Sequence, residues 1–188
     1  GVDVHGETVA TESHAERRTV KKGSHKKTKR NVKVLYISPL KALGVDVTKN
    51  LELPLRGIAQ QCEAMGLPVP DVEVAMRSGD STPEQRRRIV SHPPDILVTT
   101  PESLFLLLTS KASSILSGVE TVIVDEVHAV PGSKRGAHLA LSLERLDDMI
   151  GHPVQRIGLS ATVNPVEEVA RFLGGSQPVT VVNPGAIP

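Results

Sequence analysis

Two adjacent carboxylates, Asp125 and Glu126, follow directly after an apolar run at residues 119–124. The run is rich in β-branched residues, which predicts a strand buried on both faces. In open α/β sheets, ligands bind just beyond the carboxyl ends of the strands, where this carboxylate pair would lie. Two carboxylates there repel each other unless a cation such as Mg²⁺, carrying a phosphate ligand, lies beside them. Nucleotide hydrolysis is therefore one hypothesis; the alternative is that Asp125 caps the following segment and Glu126 is solvated.

The composition is that of an ordinary soluble domain. The chain has 188 residues, of which 39% are hydrophobic and 23% charged, so one domain with a sizeable core is expected. The single cysteine, Cys62, excludes an internal disulfide and fits a reducing compartment. No apolar run reaches the roughly 20 residues of a membrane span, and the N-terminal residues lack a signal-peptide core. We therefore expect a cytoplasmic protein.

Residues 1–31 are polar, lack apolar periodicity and end in a basic run between Lys21 and Arg30. The segment is predicted to be disordered or a surface insertion. The basic run could contact nucleic-acid phosphates, but a solvated tail is the simpler interpretation. Its histidines match no zinc-binding spacing, so we assign no metal to them.

Apolar periodicity predicts strands that alternate with helices over the rest of the chain. The predicted strands cover residues 32–37, 72–76, 95–99, 119–124, 156–159 and 178–182. The predicted helices cover residues 40–65 and 134–150, and others begin near Pro83, Pro101 and Pro165. The first of them is expected to break at Pro54 and to carry Cys62 on its buried face. The arginines at 86–88 are interpreted as a solvated helix face. The alternation predicts a mainly parallel sheet covered by helices on both faces.

Polar residues follow five of these strands. Right-handed crossovers bring the carboxyl ends of parallel strands to one edge of the sheet. That edge is predicted to collect residues 38–41, 77–80, 99–103, 125–128 and 160–162. The carboxylate pair thus becomes part of a larger candidate site.

Four of these segments resemble motifs of superfamily 2 helicases, in that family's order and at similar spacing. Motifs Ia, Ib, II and III are similar to Pro39-Leu40-Lys41-Ala42-Leu43, Thr99-Thr100-Pro101-Glu102-Ser103, Asp125-Glu126-Val127-His128 and Ser160-Ala161-Thr162. Residues 34–43, 134–139 and 156–162 look like the bacterial large helicase-related (Lhr) proteins. The resemblance covers about residues 32–183. It implies the first RecA-like α/β domain of a helicase, incomplete at its N-terminus.

The resemblance implies ATP and Mg²⁺ as ligands of the motif II residues. Asp125 would hold Mg²⁺, through water, because that ion keeps much of its hydration shell, and Glu126 would lie beside it. Glu126 would orient the water that attacks the γ-phosphate and accept its proton. His128 would lie at the interface with a second motor domain and sense the nucleotide state; in isolation it would be interpreted as an ordinary cleft histidine.

The remaining motifs imply contacts with nucleic acid. Ser160 and Thr162 would couple the nucleotide site to the nucleic-acid track through their hydroxyls. A helix N-terminus would help to bind the backbone phosphates. The residues that would contact them are Pro39, Lys41, Gly79, Thr100, Pro101 and Ser103. The alternative for Thr100 and Ser103 is that they only cap the following helix, although capping and phosphate binding are compatible.

The sequence departs from the family because it lacks a phosphate loop. No segment matches G-x-x-x-x-G-K-[ST], and the adenine-recognising segment and the second motor domain with its arginine finger are also missing. Three explanations remain open: a fragment of a larger helicase, a gene-model truncation, or a degenerate homologue that binds without hydrolysis. We favour the fragment, because loss of the phosphate-loop strand would leave residues 179–182 without a neighbour. The isolated chain is expected to be marginally stable and to hydrolyse no ATP.

The function predicted for the parent protein is ATP-dependent translocation on nucleic acid. DNA is preferred to RNA, because the resemblance is to bacterial DNA helicases involved in repair. Motors of this kind contact phosphate and sugar, so an RNA-directed DExH helicase is one alternative. The other is a non-catalytic nucleic-acid-binding module that uses the basic residues 21–30.

Overall fold

The computed structural model describes residues 30–161 and 165–182, so most of the basic segment, and Thr162, lie outside the described residues. Five strands alternate with five α-helices: β1 (Val34–Ile37), α1 (Lys41–Ala64), β2 (Val74–Arg77), α2 (Pro83–Ser91), β3 (Ile96–Thr99), α3 (Pro101–Leu108), β4 (Thr121–Val124), α4 (Lys134–Ile150), β5 (Gln155–Gly158) and α5 (Val166–Gly174). Short 3₁₀ helices at Lys111–Leu116 and Val127–Ala129 lie on either side of β4.

All four strand pairings are parallel, in the order β2-β3-β1-β4-β5. The crossover helices thus bring the carboxyl ends of all five strands to one edge. The predicted parallel α/β sheet is confirmed. The strand boundaries differ by at most two residues, because the ends of a strand are set by its partners rather than by its own composition.

The two faces of the sheet are buried to different degrees. Leu35, Leu97 and Val122 share one face, are fully buried, and form one hydrophobic core with leucines of α3 and α4. On the opposite face, Tyr36 is only partly buried, and Ile157, in the same row, is 38% exposed. The core that positions the strand ends therefore lies on the α3 and α4 side.

Helix α1 covers the less buried face at β2 and β3. A Cβ at Gly44 would lie 2.8 Å from Cε of Met76, so the glycine permits close packing. The predicted break at Pro54 is wrong: the helix continues through it, because Pro54 lies on the exposed face, where the loss of one backbone hydrogen bond is tolerated. Gly44 is the only fully buried residue of α1; Cys62 is partly buried and Ile58 is 51% exposed.

Helix starts follow the predicted signals. Thr82 caps α2 through a capping box with Gln85, and Pro83 is the first helical residue. Ser133 caps α4, which ends at Gly151 in a left-handed conformation. These caps fix where each crossover helix leaves the sheet edge.

The predicted strand at residues 178–182 is not formed, although these residues are described. Val179 instead packs against Gly174 at the end of α5, where a Cβ on the glycine would lie 2.5 Å from Cγ2 of Val179. Extended backbone without a partner makes no ladder hydrogen bonds, so it does not form a strand.

Among the described helices, none is long and apolar enough to cross a membrane.

Candidate functional site

Three parallel pairings place the motif segments side by side at the carboxyl edge. Ile37, the last residue of β1, pairs with Thr99 of β3 and with Val124 of β4, and Val124 pairs with Gly158 of β5. The loops that follow β3, β1, β4 and β5 therefore lie in that order. The predicted neighbourhood of residues 38–41, 99–103, 125–128 and 160–161 is present.

The carboxylate pair occupies a tightly fixed turn. Glu126 has φ 48° and ψ 39°, and it is the one non-glycine residue with positive φ in the described part of the chain. Its amide donates to Oδ1 of Asp125 over 2.9 Å, while the amide of Asp125 donates to the carbonyl of Ile37. Buried Val127 bonds through its amide to Leu159. Left-handed backbone at a non-glycine residue costs free energy, so the surrounding contacts hold this turn.

Side-chain contacts connect the ends of β4 and β5. Oε2 of Glu126 lies 3.3 Å from Nε2 of His128, and Nδ1 of the same ring lies 3.2 Å from Oγ of Ser160. The Ser160 hydroxyl is also 2.7 Å from the carbonyl of Ala161. The contact with Glu126 is a hydrogen bond when Nε2 carries a proton, and the direction of the bond to Ser160 depends on the tautomer. The series joins motif II to motif III.

Tyr36 belongs to this site and was missed by sequence reasoning. Burial raises the pKa of its phenol well above the ordinary value, and the carboxylates of Asp125 and Glu126 raise it further. The phenol therefore stays protonated beside the carboxylate of Asp125. The only feature of the sequence that could have indicated this role is the position of Tyr36 near the end of the strand that pairs with β4.

The carboxylate of Asp125 fits a magnesium ion that is held mainly by a nucleotide. No group of three or more His, Cys, Asp or Glu side chains with metal-binding geometry occurs within residues 30–161 and 165–182. Mg²⁺ in nucleotide sites commonly takes one or two carboxylates together with phosphates and water. Asp125 is partly exposed and pairs with no basic side chain in the described ranges, so it has the chemistry for that role.

Lys41 lies at the start of α1 and forms an ion pair with Asp80, in the loop after β2. Both side chains are more than half exposed. Pro39, just before it, is buried, while Gly79 is exposed and accepts a hydrogen bond from Arg86. The loops after β1 and β2 are thus joined by the lysine that the sequence assigns to phosphate binding.

The hydroxyls of Thr100 and Ser103 form a cap at the start of α3. Oγ1 of Thr100 accepts from the amide of Ser103 over 3.3 Å and lies 3.1 Å from its Oγ. Pro101 and both hydroxyl residues are buried, at 8% exposure for Thr100 and 4% for Ser103. The structure therefore shows the capping role; a phosphate would be met first by the helix N-terminus itself.

Arg135, at the start of α4, connects the loop after β1 with the start of α3. Its guanidinium makes two hydrogen bonds to Glu102 and donates to the carbonyl of Pro39 over 2.6 Å. The bond from Arg135 lowers the pKa of Glu102, and the same pairing raises the pKa of Arg135. Sequence reasoning noted Arg135 only as part of a family likeness, because a contact over 33 residues has no local signal.

The sequence of the chain is similar to those of known helicases. The DEAD/DEAH box helicase family matches residues 7–170. The "Lhr helicase/ probable uracil glycosylase" of Mycolicibacterium smegmatis is 64% identical over 153 residues, which are 81% of this chain and 10% of that protein. The "Lhr helicase/uracil glycosylase" of Escherichia coli is 53% identical over 188 residues, 97% of this chain and 12% of the relative. The chain spans about a tenth of the length of these relatives.

Solved structures show the same fold. The structure of Mycobacterium smegmatis helicase Lhr bound to ssDNA and AMP-PNP matches with a TM-score of 0.80 and 62% identity, over 82% of this chain and 20% of that one. The DUF1998 helicase MrfA bound to DNA and AMPPNP matches with a TM-score of 0.63 and 25% identity, over 81% and 20%. The five-stranded sheet is thus a RecA-like helicase sheet, and the chain belongs to the DEAD/DEAH box helicases, in which it is similar to the Lhr proteins.

Proposed function

We propose that the protein carrying this chain is an ATP-dependent translocase on nucleic acid. The main support is the contact series from Glu126 through His128 to Ser160, at the edge where Lys41 and the start of α3 also lie. Such a series connects a nucleotide site to neighbouring loops in a way that a solvated carboxylate pair does not. The described domain supplies part of the ATP site and part of the nucleic-acid track.

The residues of motif II divide the work of hydrolysis. When bound, ATP would supply the transferable phosphoryl group and the free energy of the cycle, and Mg²⁺ would neutralise charge on its phosphates. Asp125 would hold the ion, through water, and the protonated Tyr36 phenol lies beside its carboxylate. Glu126 orients the attacking water and accepts its proton, a task suited to a partly exposed carboxylate. His128 links Glu126 to Ser160, so a change at the nucleotide reaches the end of β5.

The nucleic-acid track consists of the loops after β1, β2 and β3. Lys41 supplies a positive charge, and the first turn of α3 supplies backbone amides, both of which attract phosphate. Pro39 and Gly79 contribute backbone, while buried Pro101, Thr100 and Ser103 hold the start of α3 in position. Ser160 and Thr162 couple this track to the nucleotide. A second motor domain and a phosphate loop complete the site.

DNA is the proposed track. Support comes from the similar M. smegmatis helicase Lhr, which was solved bound to ssDNA. We also propose a role in DNA repair and a cytoplasmic location, with support from the likeness to bacterial Lhr helicases. Comparing ATPase stimulation by single-stranded DNA and RNA of one sequence tests the choice, because a stronger response to RNA would exclude it.

A substitution of Glu126 tests the proposed hydrolysis. In the whole protein, Glu126→Gln is expected to lower kcat for ATP at least about 100-fold, as loss of a general base does, and to leave nucleotide-dependent DNA binding intact. Glu120→Gln is the control, because Glu120 is exposed and precedes β4 at the opposite edge. Unchanged ATPase activity in Glu126→Gln would refute the proposal.

A further inference from the structure

A groove of about 590 Å³ lies beside β2, between α2 and the 3₁₀ helix that follows α3. Four basic residues line it: Arg77 from β2, Arg86 and Arg87 from α2, and Lys111 from the 3₁₀ helix. Its other lining residues, such as Val90 and Ala112, are uncharged, and no carboxylate borders it. We call this feature the cationic groove.

No carboxylate among the residues that the structure describes compensates the positive charges of the cationic groove. None of its four basic residues takes part in an ion pair within the described ranges, whereas Lys41 and Arg135 each have a carboxylate partner. Burial lowers the pKa of Arg77, and the positive charge of Arg86 lowers it further. Arg86 donates one bond to the carbonyl of Gly79, but its Nε is buried without an acceptor among the described residues. Like charges held together in this way favour a bound anion.

The position of the cationic groove indicates which anion it binds. Arg77 ends β2 and pairs in register with Thr99, the residue before the cap of α3. Arg86 touches Gly79, in the loop that the proposed track uses. The groove therefore continues from the proposed nucleic-acid track at the outer edge of the sheet. Guanidinium groups present a planar set of donors that matches phosphate oxygens, and three of the four cations are arginines.

We infer that the cationic groove binds backbone phosphates of the nucleic acid and extends the track past β2. This inference rests on the proposed function, because it assumes that nucleic acid follows the loops after β1 and β3. It also changes the interpretation of the arginines at 86–88. Arg86 and Arg87 face a shared groove with Arg77 and Lys111, and only Arg88 remains a solvated residue outside it.

Charge reversal tests the inference in the whole protein. Arg87→Glu/Lys111→Glu changes two exposed side chains, so folding is preserved. The matched control is Arg88→Glu/Lys49→Glu, which makes the same change in net charge at exposed positions outside the groove. Binding of single-stranded DNA is measured by fluorescence anisotropy at several salt concentrations with a non-hydrolysable ATP analogue.

The groove variant is expected to bind DNA about tenfold more weakly than the control. Its plot of log affinity against log salt concentration should be shallower by about 0.7 for each phosphate that it no longer neutralises. Equal affinity and equal salt slope in the two variants would overturn the inference. Binding of a polyglutamate peptide that is abolished in the groove variant, with DNA binding unchanged, would overturn it as well, in favour of an acidic protein partner.

Lys41→Ala separates this inference from the proposed function. If Lys41→Ala weakens DNA binding and the groove variant does not, only the cationic groove is refuted. If Lys41→Ala has no effect and the groove variant binds weakly, the groove is an anion site but the proposed track is wrong. The inference as stated requires that both variants bind more weakly than the control.

Discussion

The guanidinium of Arg135 bonds to both carboxylate oxygens of Glu102, and it also donates to the backbone carbonyl of Pro39. One side chain at the start of α4 therefore fixes the distance between two loops that are proposed to bind backbone phosphates. Because α4 begins just after the Asp125 turn, the same side chain connects these loops to the nucleotide side of the domain.

Replacing Arg135 is expected to impair nucleic-acid binding more than hydrolysis. Arg135→Ala should raise the concentration of DNA that half-stimulates the ATPase several-fold, with kcat at saturating DNA largely kept, because only loop position is disturbed. Arg135→Lys should restore little, since lysine cannot bond Glu102 in a bidentate manner. Lys134→Ala, an exposed neighbour, is the control. This role would be contradicted if Arg135→Ala changed kcat by the same factor as the half-stimulating DNA concentration.

The Arg135 pair also predicts a change in the acid sensitivity of the domain. Arg135 lowers the pKa of Glu102 below its ordinary value of 4.5. The ionised pair therefore stabilises the fold fully above pH 4.5, and this contribution is lost as the pH falls through the lowered pKa. Glu102→Gln lacks that contribution, so its free energy of unfolding should fall less steeply with acid than that of the unmodified protein. Parallel curves from urea denaturation at several pH values would show that Glu102 makes no such contribution.

Asp80 is expected to compete with nucleic acid for Lys41. An exposed ion pair contributes about 0.2–1 kcal/mol, so Asp80→Asn should tighten DNA binding by no more than about fivefold at low salt. Glu84→Gln is the control for the change in net charge, because Glu84 is exposed and has no ion-pair partner among the described residues. In a Lys41→Ala background the effect of Asp80→Asn should disappear, and its persistence there would rule out competition for Lys41.

Gly136 is expected to tolerate no side chain. A Cβ there would collide with the backbone carbonyl of Val130, in the loop that follows the Asp125 turn. Gly136→Ala should therefore destabilise the protein by about 1–3 kcal/mol, as forced overpacking does. Gly57→Ala in α1 is the control, because nothing lies within 4 Å of its Cβ position and alanine favours a helix. Equal denaturation midpoints for the two variants would contradict the collision.

The parallel sheet and its edge were predictable because they depend on local patterns. The β-branched runs before Ile37, Thr99 and Val124 define strands, and polar residues directly after a parallel strand share an edge whatever their separation in sequence. The capping of α2 by Thr82 was visible for the same reason. Most of the candidate site follows from these two patterns.

The remaining features depend on contacts that no local pattern contains. The pairings of Arg135 with Glu102 and Lys41 with Asp80 join residues that are distant in the chain. The exposed position of Pro54, which allows α1 to continue, depends on which side of the helix meets the sheet. Residues 178–182 have strand composition but pair with no strand, and composition cannot specify a partner.

The order of the strands constrains how the protein is made. Val34 of β1 pairs with Ile96 and Thr121, both of which are synthesised much later. The central strand therefore waits on the ribosome while its two neighbours are translated, with its apolar side chains accessible to solvent. Chaperones that bind nascent chains should recognise the residues of β1 during this interval and release them once β4 has emerged.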